Sequence, residues 1–504
     1  MTPFVDVQRT AAGAVAKGSA TARFGADAVH GPGGDPHWSL TACWEWDGST
    51  LVIRADRLGM LPLYVHVDHR RIVCSSSLAR VVERMAEPAP DIPALVVFNG
   101  LGNYVGRSTP VAGVERLRPG ESLRWSAGDL VRDVPASTPA ALSIERGDAA
   151  REFGNLFEEA VQRRIPPNGR TGLALSGGRD SRHILCSLLR QGESPHVATV
   201  ATEHNDDGAI AAALCSALGI AGHTMAPEPY QPIRDLERLM PMLNFEAPVH
   251  SWMLPLVRHF HQQVDTCFDG IGGDVLSNGL LYDARVHRLL AEGNVREVTH
   301  RYVPPLTPLS SIGTVTADQA EEARELLDAE LTRYLDHPNP WSAFLLANRT
   351  RRLIAPAPFA ILSRSGAEIA TPFLDPELVA FLVRLPGSQY GAPGFHTEAI
   401  GRWYPEAAAL GYASNRTIRH RPFPHRATVV DGLRILRHVT RRLAPPVRRA
   451  RLLARLSWYL AIGRWDVLDW PAGLLVYHSL VQSLLANTDP DSLQSCFTEP
   501  GTAP

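Results

Sequence analysis

Lysine is all but missing from this chain. Lys17 is the only one in 504 residues, so no ammonium group beyond it can serve as a catalytic cation. Cysteine is sparse as well. Cys43, Cys74, Cys186, Cys215, Cys267 and Cys496 are scattered and form no C-x-x-C pair. That spacing argues against a disulfide framework or a zinc site and for reduced, mostly buried thiols. No apolar run is long enough to span a bilayer. The formal net charge is −2, which gives no sign of a nucleic-acid or anionic-membrane partner. The opening "MTPFVDVQRT" has no basic segment leading into an apolar core, so no secretory signal is expected. These absences together predict a soluble, cytoplasmic protein. What is present is ordinary for a globular chain, with 45% hydrophobic and 20% charged residues. The length exceeds what one core usually supports, so two domains are expected.

The first part, residues 1–134, reads as β-rich. "STLVIRADRLGMLPLYVHVDHRRIVCSSS" holds strand candidates at 51–55, 62–67 and 71–74, separated by turn residues. "VERLRPGESLRWSAGDLVRDV" adds a hairpin, with turns at Pro119-Gly120 and Ala127-Gly128. "VPASTPAALSIERG" reads as a linker, and "GDAAREFGNLFEEAVQRRI" as a helix with apolar residues at 153, 156, 157 and 161. An alternation follows: strand "TGLALS", helix "DSRHILCSLLRQG", strand "HVATVAT", helix "DDGAIAAALCSALG" and a later strand "VDTCFDG". Strands alternating with helices of this length imply parallel crossovers and a doubly wound α/β sheet. Beyond about residue 285 the pattern is mostly helical, and 431–504 forms an arginine-rich helical extension whose segment 434–455 reads as a solvated helix face.

The stretch "LALSGGRDSRHI" (173–184) carries the chemistry. Its loop leaves the carboxyl end of the first parallel strand and enters a helix, the edge at which open α/β sheets bind ligands. Gly177 and Gly178 allow close approach of a ligand. Ser176, Ser181 and the first helical amides can donate to a phosphate. Asp180 beside a phosphate cradle would repel the ligand unless a divalent cation lay between, so it suggests Mg²⁺. The loop lacks the Lys-Ser/Thr ending of the common phosphate-binding loop and is not a dinucleotide G-x-G-x-x-G. Asp206 and Asp207 read as caps of the helix that follows them. Arg182 and His183 either face solvent or support the loop.

"LSGGRDS" resembles the S-G-G-x-D-S pyrophosphate loop of N-type ATP pyrophosphatases, which cleave ATP to AMP and pyrophosphate. More of the chain resembles one branch, asparagine synthetase with its relatives β-lactam synthetase and the lasso-peptide macrocyclases. "RADRLGMLPLYVHVDHRRIVCSSSLARVV", "FNGLGNYVGRSTPVAGVERLRPGESLRW", "NDDGAIAAALCSALGIAGHT", "FEAPVHS", "FDGIGGDVLSNG" and "EIATPFLDPELVAFLVRLP" are similar to that family's motifs and fall in its order. The resemblance implies a truncated Ntn-hydrolase-like glutaminase domain over 1–134 and an ATP-pyrophosphatase domain over 145–430. It implies ATP and Mg²⁺ as cofactors. ATP or pyrophosphate would be bound by Leu175, Ser176, Gly177, Gly178, Arg179, Asp180, Ser181, Gly270, Gly272 and Gly273. Asp180 and Asp274 would be both catalytic and the metal ligands.

The chain departs from the family in two places. Glutamine-dependent members begin Met-Cys-Gly; here Met1-Thr2-Pro3 stands, few residues precede "RADRLG", and loss of glutamine hydrolysis is expected. The family's late lysine is also absent. "NRTIRHRPF" covers that region with Arg419 and Arg421, and Arg421 is the expected catalytic substitute, able to stabilise charge but not to transfer a proton. Ile271 and Val275 replace two family glutamates. The expected function is an ATP-dependent ligase that adenylates a carboxylate of a small molecule or peptide and lets an amine or ammonia displace AMP. Asparagine synthetase itself and a non-catalytic ATP-binding scaffold are the alternatives, and a homodimer is compatible with the sequence.

Overall fold

The described residues up to 134 build ten strands, four of them before residue 47, a stretch to which the sequence pattern assigns none. The computed structural model describes residues 2–10, 13–29, 39–126, 128–135, 138–201, 206–225, 239–247, 250–277, 283–303, 315–390, 394–413, 477–478 and 480–486. Strands β1 (Phe4–Thr10), β2 (Gly13–Gly18), β3 (Thr21–Ala26), β4 (Leu40–Trp46), β5 (Thr50–Arg54), β6 (Tyr64–Val67), β7 (Arg71–Ser75), β8 (Val114–Arg116), β9 (Ser122–Ser126) and β10 (Asp129–Asp133) form two antiparallel sheets. Their orders are β2-β1-β7-β6-β8 and β10-β9-β5-β4-β3.

Alternation along each strand gives each sheet an apolar inner face. Val5, Val7, Ile72 and Cys74 of the first sheet meet Trp44, Leu51, Ile53, Leu123 and Trp125 of the second. The first sheet is apolar on its outer face too. There Tyr64, Val73 and Val114 pack beneath the helices Leu78–Val82 and Ile92–Leu101. One expectation changes: the Pro119-Gly120 turn closes no hairpin. It carries the chain from β8 in one sheet to β9 in the other, and the hairpin is β9–β10 alone. A tight turn at sequence level cannot distinguish these cases, because both need the same local reversal.

Residues 138–145 run without regular structure but are held down. The Leu142 amide donates to the Arg384 carbonyl (2.8 Å), and Gln389 donates to the Ile144 carbonyl (3.2 Å). The helix Arg146–Gln162 then buries Ala149, Ala150, Phe153, Phe157, Ala160 and Val161 on one face. Phe153 and Phe157 are fully buried, and each such side chain is worth about 1.5–3 kcal/mol of burial.

The alternating region gives five parallel strands: β11 (Thr171–Ala174), β12 (His196–Val200), β13 (Gly222–Met225), β14 (Thr266–Phe268) and β15 (Glu368–Ala370). Their order is β13-β12-β11-β14-β15, so the chain steps outward one way from β11 and then returns to its other side at β14. That reversal makes the gap between β11 and β14 the topological switch point. Beyond residue 285 the described chain is helical except for β15, whose three residues are too short for a periodic signal.

A nine-residue π-helical stretch, Leu346–Ile354, buries Asn348, Thr350, Arg351 and Arg352. Arg351 donates to the Leu117 carbonyl (2.7 Å) and to the Gly106 carbonyl, tying this stretch to the two-sheet region. A second tie is fully buried. Arg164 donates to both carboxylate oxygens of Asp27 (2.8 and 2.6 Å) and to Asp375 (2.8 Å).

Candidate functional site

Two loops leave neighbouring strands at the switch point. The first follows β11 and ends in the helix Arg179–Arg190, with Gly178 at its N-cap and Asp180 in its first turn. Its shape is fixed from within. The Ser176 amide donates to Ser181 Oγ (3.0 Å), the Gly178 amide donates to Ser176 Oγ (3.1 Å), and the two serine hydroxyls pair at 3.0 Å. It is also braced from outside, where the Gly177 amide donates to Asp207 Oδ1 (2.9 Å). The expectation that Asp206 and Asp207 cap the helix Asp207–Ala217 is therefore corrected. Asp206 sits at the N-cap but its side chain makes no capping bond, and Asp207 turns across to the loop. Leu175 lies buried beneath the loop, its amide donating to the Ala198 carbonyl (2.9 Å).

The second loop follows β14. Asp269, directly after the strand, accepts from the Ile271 amide (2.8 Å). Gly272 takes φ +91°, a left-handed turn open to glycine at little strain, and starts the short helix Gly273–Leu276 with Asp274 in its first turn. The loops meet at glycine. A β-carbon at Gly273 would lie 2.6 Å from the Asp180 carboxyl, and one at Gly270 would lie 2.8 Å from Asp180 Cβ. Only a bare backbone lets Asp180 occupy this place.

Three carboxylates gather here, those of Asp180, Asp269 and Asp274. The Asp269 carboxyl is pushed up to about 6, first by burial and then by the negative charges of Asp180 and Asp274, against the opposing pull of the Ile271 amide. Part of the Asp269 surface is still accessible. Asp180 and Asp274 are 22% and 20% exposed at their side chains. Carboxylate oxygens are the donors a hard divalent cation takes, although these three do not all lie within 4.8 Å of one another. Arg349, from the π-helical stretch, pairs with Asp274 at 2.9 Å and supplies a cation at the same edge.

Behind Asp180 runs a buried chain of imidazoles. His396 Nδ1 lies 3.3 Å from Asp180 Oδ1 and 3.0 Å from Ser277 Oγ, and its Nε2 lies 2.9 Å from His183 Nδ1. Ser277 Oγ donates to the Gly273 carbonyl (2.8 Å), so His396 bridges the two loops. Burial, with the charge of Arg179, lowers the His396 pKa to about 3. Burial, then His396, lowers that of His183. A neutral His396 makes its 3.3 Å approach to Asp180 a polar contact rather than an ion pair. With Nδ1–H on each ring, His183 donates to His396 Nε2 and His396 to Ser277 Oγ, and His183 Nε2 is buried with no hydrogen-bond partner.

His183 and Arg182 thus face inward. Arg182 donates to the carbonyls of Ala407 (2.9 Å), Leu410 (2.8 Å) and Gly411 (2.6 Å), fastening the segment whose Ala413 amide reaches the Gly177 carbonyl (2.9 Å). Arg179 donates to Thr397 Oγ1 (2.5 Å) and lies over the Tyr412 ring. Ile271 and Val275 are buried in the core. Arg419, Arg421 and the segment 434–455 lie outside the described residues. The sequence reading missed Asp269, Arg349 and His396. Asp269 had a signal, a carboxylate directly after an apolar strand at the same sheet edge. His396 and Arg349 had none, since each reaches the site from a distant helix.

The fold and the two loops define an open-sheet α/β protein with its candidate site at the switch point. The chain belongs to the asparagine synthase family, whose profile matches residues 152–452. Among curated proteins nothing matches. Among solved structures, glutamine phosphoribosylpyrophosphate amidotransferase from B. subtilis, complexed with ADP and GMP, is similar at 13% identity and a TM-score of 0.12. The match covers 31% of this chain and 31% of that one, so this chain spans less than a third of that protein, and so slight a likeness carries no argument.

Proposed function

We propose that the chain is an ATP-dependent, amide-forming ligase that adenylates a substrate carboxylate, releases pyrophosphate and passes the acyl group to an amine. The meeting of two glycine loops and three carboxylates at the switch point carries this proposal. The hydroxyls of Ser176 and Ser181 and the first amides of the helix Arg179–Arg190 would hold the phosphates at the positive end of the helix. Gly270, Gly272 and Gly273 would let the departing pyrophosphate approach from the other side. Mg²⁺ would be held by Asp180 and Asp274, with Asp269 behind them, and when bound it neutralises charge on the triphosphate. His396 would keep Asp180 aimed, as a positioning residue. Arg421 remains the candidate suggested by the sequence for the missing lysine; Arg349 is a described cation at the second loop and would act by charge alone.

The two-sheet region, residues 1–134, would be an Ntn-hydrolase-like scaffold without glutaminase activity, followed by an ATP-pyrophosphatase domain over 145–430 and an extension over 431–504. Cys74, in this region, has its thiol pushed up by burial, unlike an activated nucleophile. The amine would then be ammonia or a group of the substrate itself. No helix among the described residues is long and apolar enough to cross a membrane; a cytoplasmic location and a homodimer belong to the proposal.

ATP–pyrophosphate exchange with aspartate and a panel of other carboxylates tests this. Exchange is expected with at least one substrate and should vanish in Asp180→Ala. Mg-ATP binding without exchange in both proteins would favour the scaffold. Arg349→Gln should lower exchange about 100-fold, the scale for losing one transition-state donor; unchanged exchange would remove Arg349 from the site.

A further inference from the structure

Opposite the candidate site, at the amino-terminal edge of the parallel sheet, three histidines come together. His196 opens β12, His223 is the second residue of β13, and His259 lies in the last turn of the helix Leu254–Phe260. The strands are parallel, with Val197 beside Gly222 and Ala198 beside His223, so the first residues of β12 and β13 share the edge away from the loop after β11. The ring centroids lie 4.9 Å (His196–His223), 4.8 Å (His196–His259) and 5.0 Å (His223–His259) apart. One nitrogen from each ring falls within 4.8 Å of the others. His196 Nε2 and His259 Nε2 are 2.8 Å apart. Among the described residues no other three His, Cys, Asp or Glu side chains bring their ligand atoms this close, the carboxylates of Asp180, Asp269 and Asp274 included.

We propose that His196, His223 and His259 form a binding site for a first-row transition-metal ion, of the zinc class, distinct from the nucleotide loops. Three imidazoles are the donor set that borderline metals such as Zn²⁺ prefer, while Mg²⁺ prefers oxygen. Tetrahedral ligands about 2.0–2.1 Å from zinc stand roughly 3.3 Å from each other. The His196 and His259 nitrogens, 2.8 Å apart, are closer than that, and the third lies within 4.8 Å of them, so ring rotation can bring the three to the geometry. His223 is exposed, and His196 and His259 are partly exposed, which leaves the fourth position to water. Burial lowers the pKa of His196 and of His259, and neighbouring histidines lower both further. The scattered cysteines gave no hint of a metal; histidines far apart in sequence supply the ligands.

The three ligands sit on three different elements. Among the described strands β13 lies at the sheet edge, paired with β12 alone, and the helix Leu254–Phe260 leads to β14 and the second loop. A bound ion would pin the edge strand and that helix to β12, cross-linking the sheet at its edge.

The test uses the full chain stripped of metal, dialysed against ZnCl₂ and analysed for bound metal, with thermal unfolding measured in parallel. One tightly held zinc per chain is expected, with a rise of several degrees in the unfolding midpoint, and MgCl₂ should not reproduce it. Co²⁺ in its place should give the intense visible absorption of a four-coordinate site. His223→Ala, at an exposed position, should lose the zinc equivalent and the thermal shift while folding normally. Asp180→Ala should keep both. No bound zinc, or a zinc equivalent that persists in His223→Ala and in His196→Ala, would overturn the proposal. Loss in Asp180→Ala alone would assign the metal to the nucleotide loops and equally overturn it.

Discussion

Gly273→Ala is expected to reduce ATP–pyrophosphate exchange by about 100-fold or more while the protein stays folded. The new methyl group would sit 2.6 Å from the Asp180 carboxyl carbon and from Oδ1, inside any contact distance, so one of the two must move. The backbone cannot yield cheaply, because Gly273 starts a helix packed on the core and its carbonyl accepts from Ser277 (2.8 Å). The Asp180 side chain can. Rotation would carry its carboxylate away from Asp269 and Asp274 and break its contact with His396. Displacing a reacting group by about an ångström costs on the order of 100-fold. Stability should change little, since Gly273 has ordinary helical backbone and alanine favours helix. Gly272→Ala is the contrasting case. It forces φ +91° on a side chain and meets Leu374 at 2.8 Å, so it should lower stability as well as exchange. Circular dichroism melts and exchange rates on both variants separate the two effects. Full exchange in Gly273→Ala would remove Asp180 from the chemistry.

Arg164→Met is expected to destabilise the chain by about 3–5 kcal/mol, the cost of leaving buried charges unpaired. Arg164, Asp27 and Asp375 have fully buried side chains, and Arg164 alone bonds both carboxylates. Asp375 keeps Arg163 (2.9 Å) in the variant, so Asp27 would suffer most. Asp27 stands after β3 at φ +74° and also accepts from the Thr371 amide (2.8 Å), so its loss loosens the two-sheet region from the segment after β15. The pH dependence follows from Asp375. Burial pushes its carboxyl up, but the charges and hydrogen bonds of Arg164 and Arg163 outweigh burial and hold it below 3.8. The stabilisation is thus present above that value and is lost as pH falls through the lowered folded value. Denaturant midpoints in the native chain should drop on acidification into that window, and Arg164→Met should show a weaker drop from a lower start. A variant as stable as the native chain would remove this triad from the interactions that hold the fold.

The loop "LSGGRDS" and the strand-helix alternation around it were legible because each depends on neighbours in sequence. A strand followed by Gly-Gly and a polar helix start has one local solution, and its place at the carboxyl edge follows from parallel crossover. The pairing of "FDGIGGD" with that loop was legible from a resemblance and from its place after the apolar, strand-like "TCF"; the strand order β13-β12-β11-β14-β15 makes it a physical neighbour. Elements with weak or very short patterns stayed hidden. β2 and β3 are rich in glycine and alanine, β13 and β15 are three or four residues long, and all of them form because a neighbour offers a ladder.

Polar side chains that act across long sequence separations were beyond reach for the same reason. Asp207 reads as a cap because aspartate before a helix usually is one, yet in the folded chain the Gly177 amide is nearer. His396 reaches Asp180, Arg349 reaches Asp274, and His196, His223 and His259 reach one another only after the sheet is assembled. Sequence by itself determined the local conformations and the residue types available at each strand end. Tertiary structure decided which of them share a few ångströms of space, because a hydrogen bond or an ion pair depends on distance through space and not along the chain.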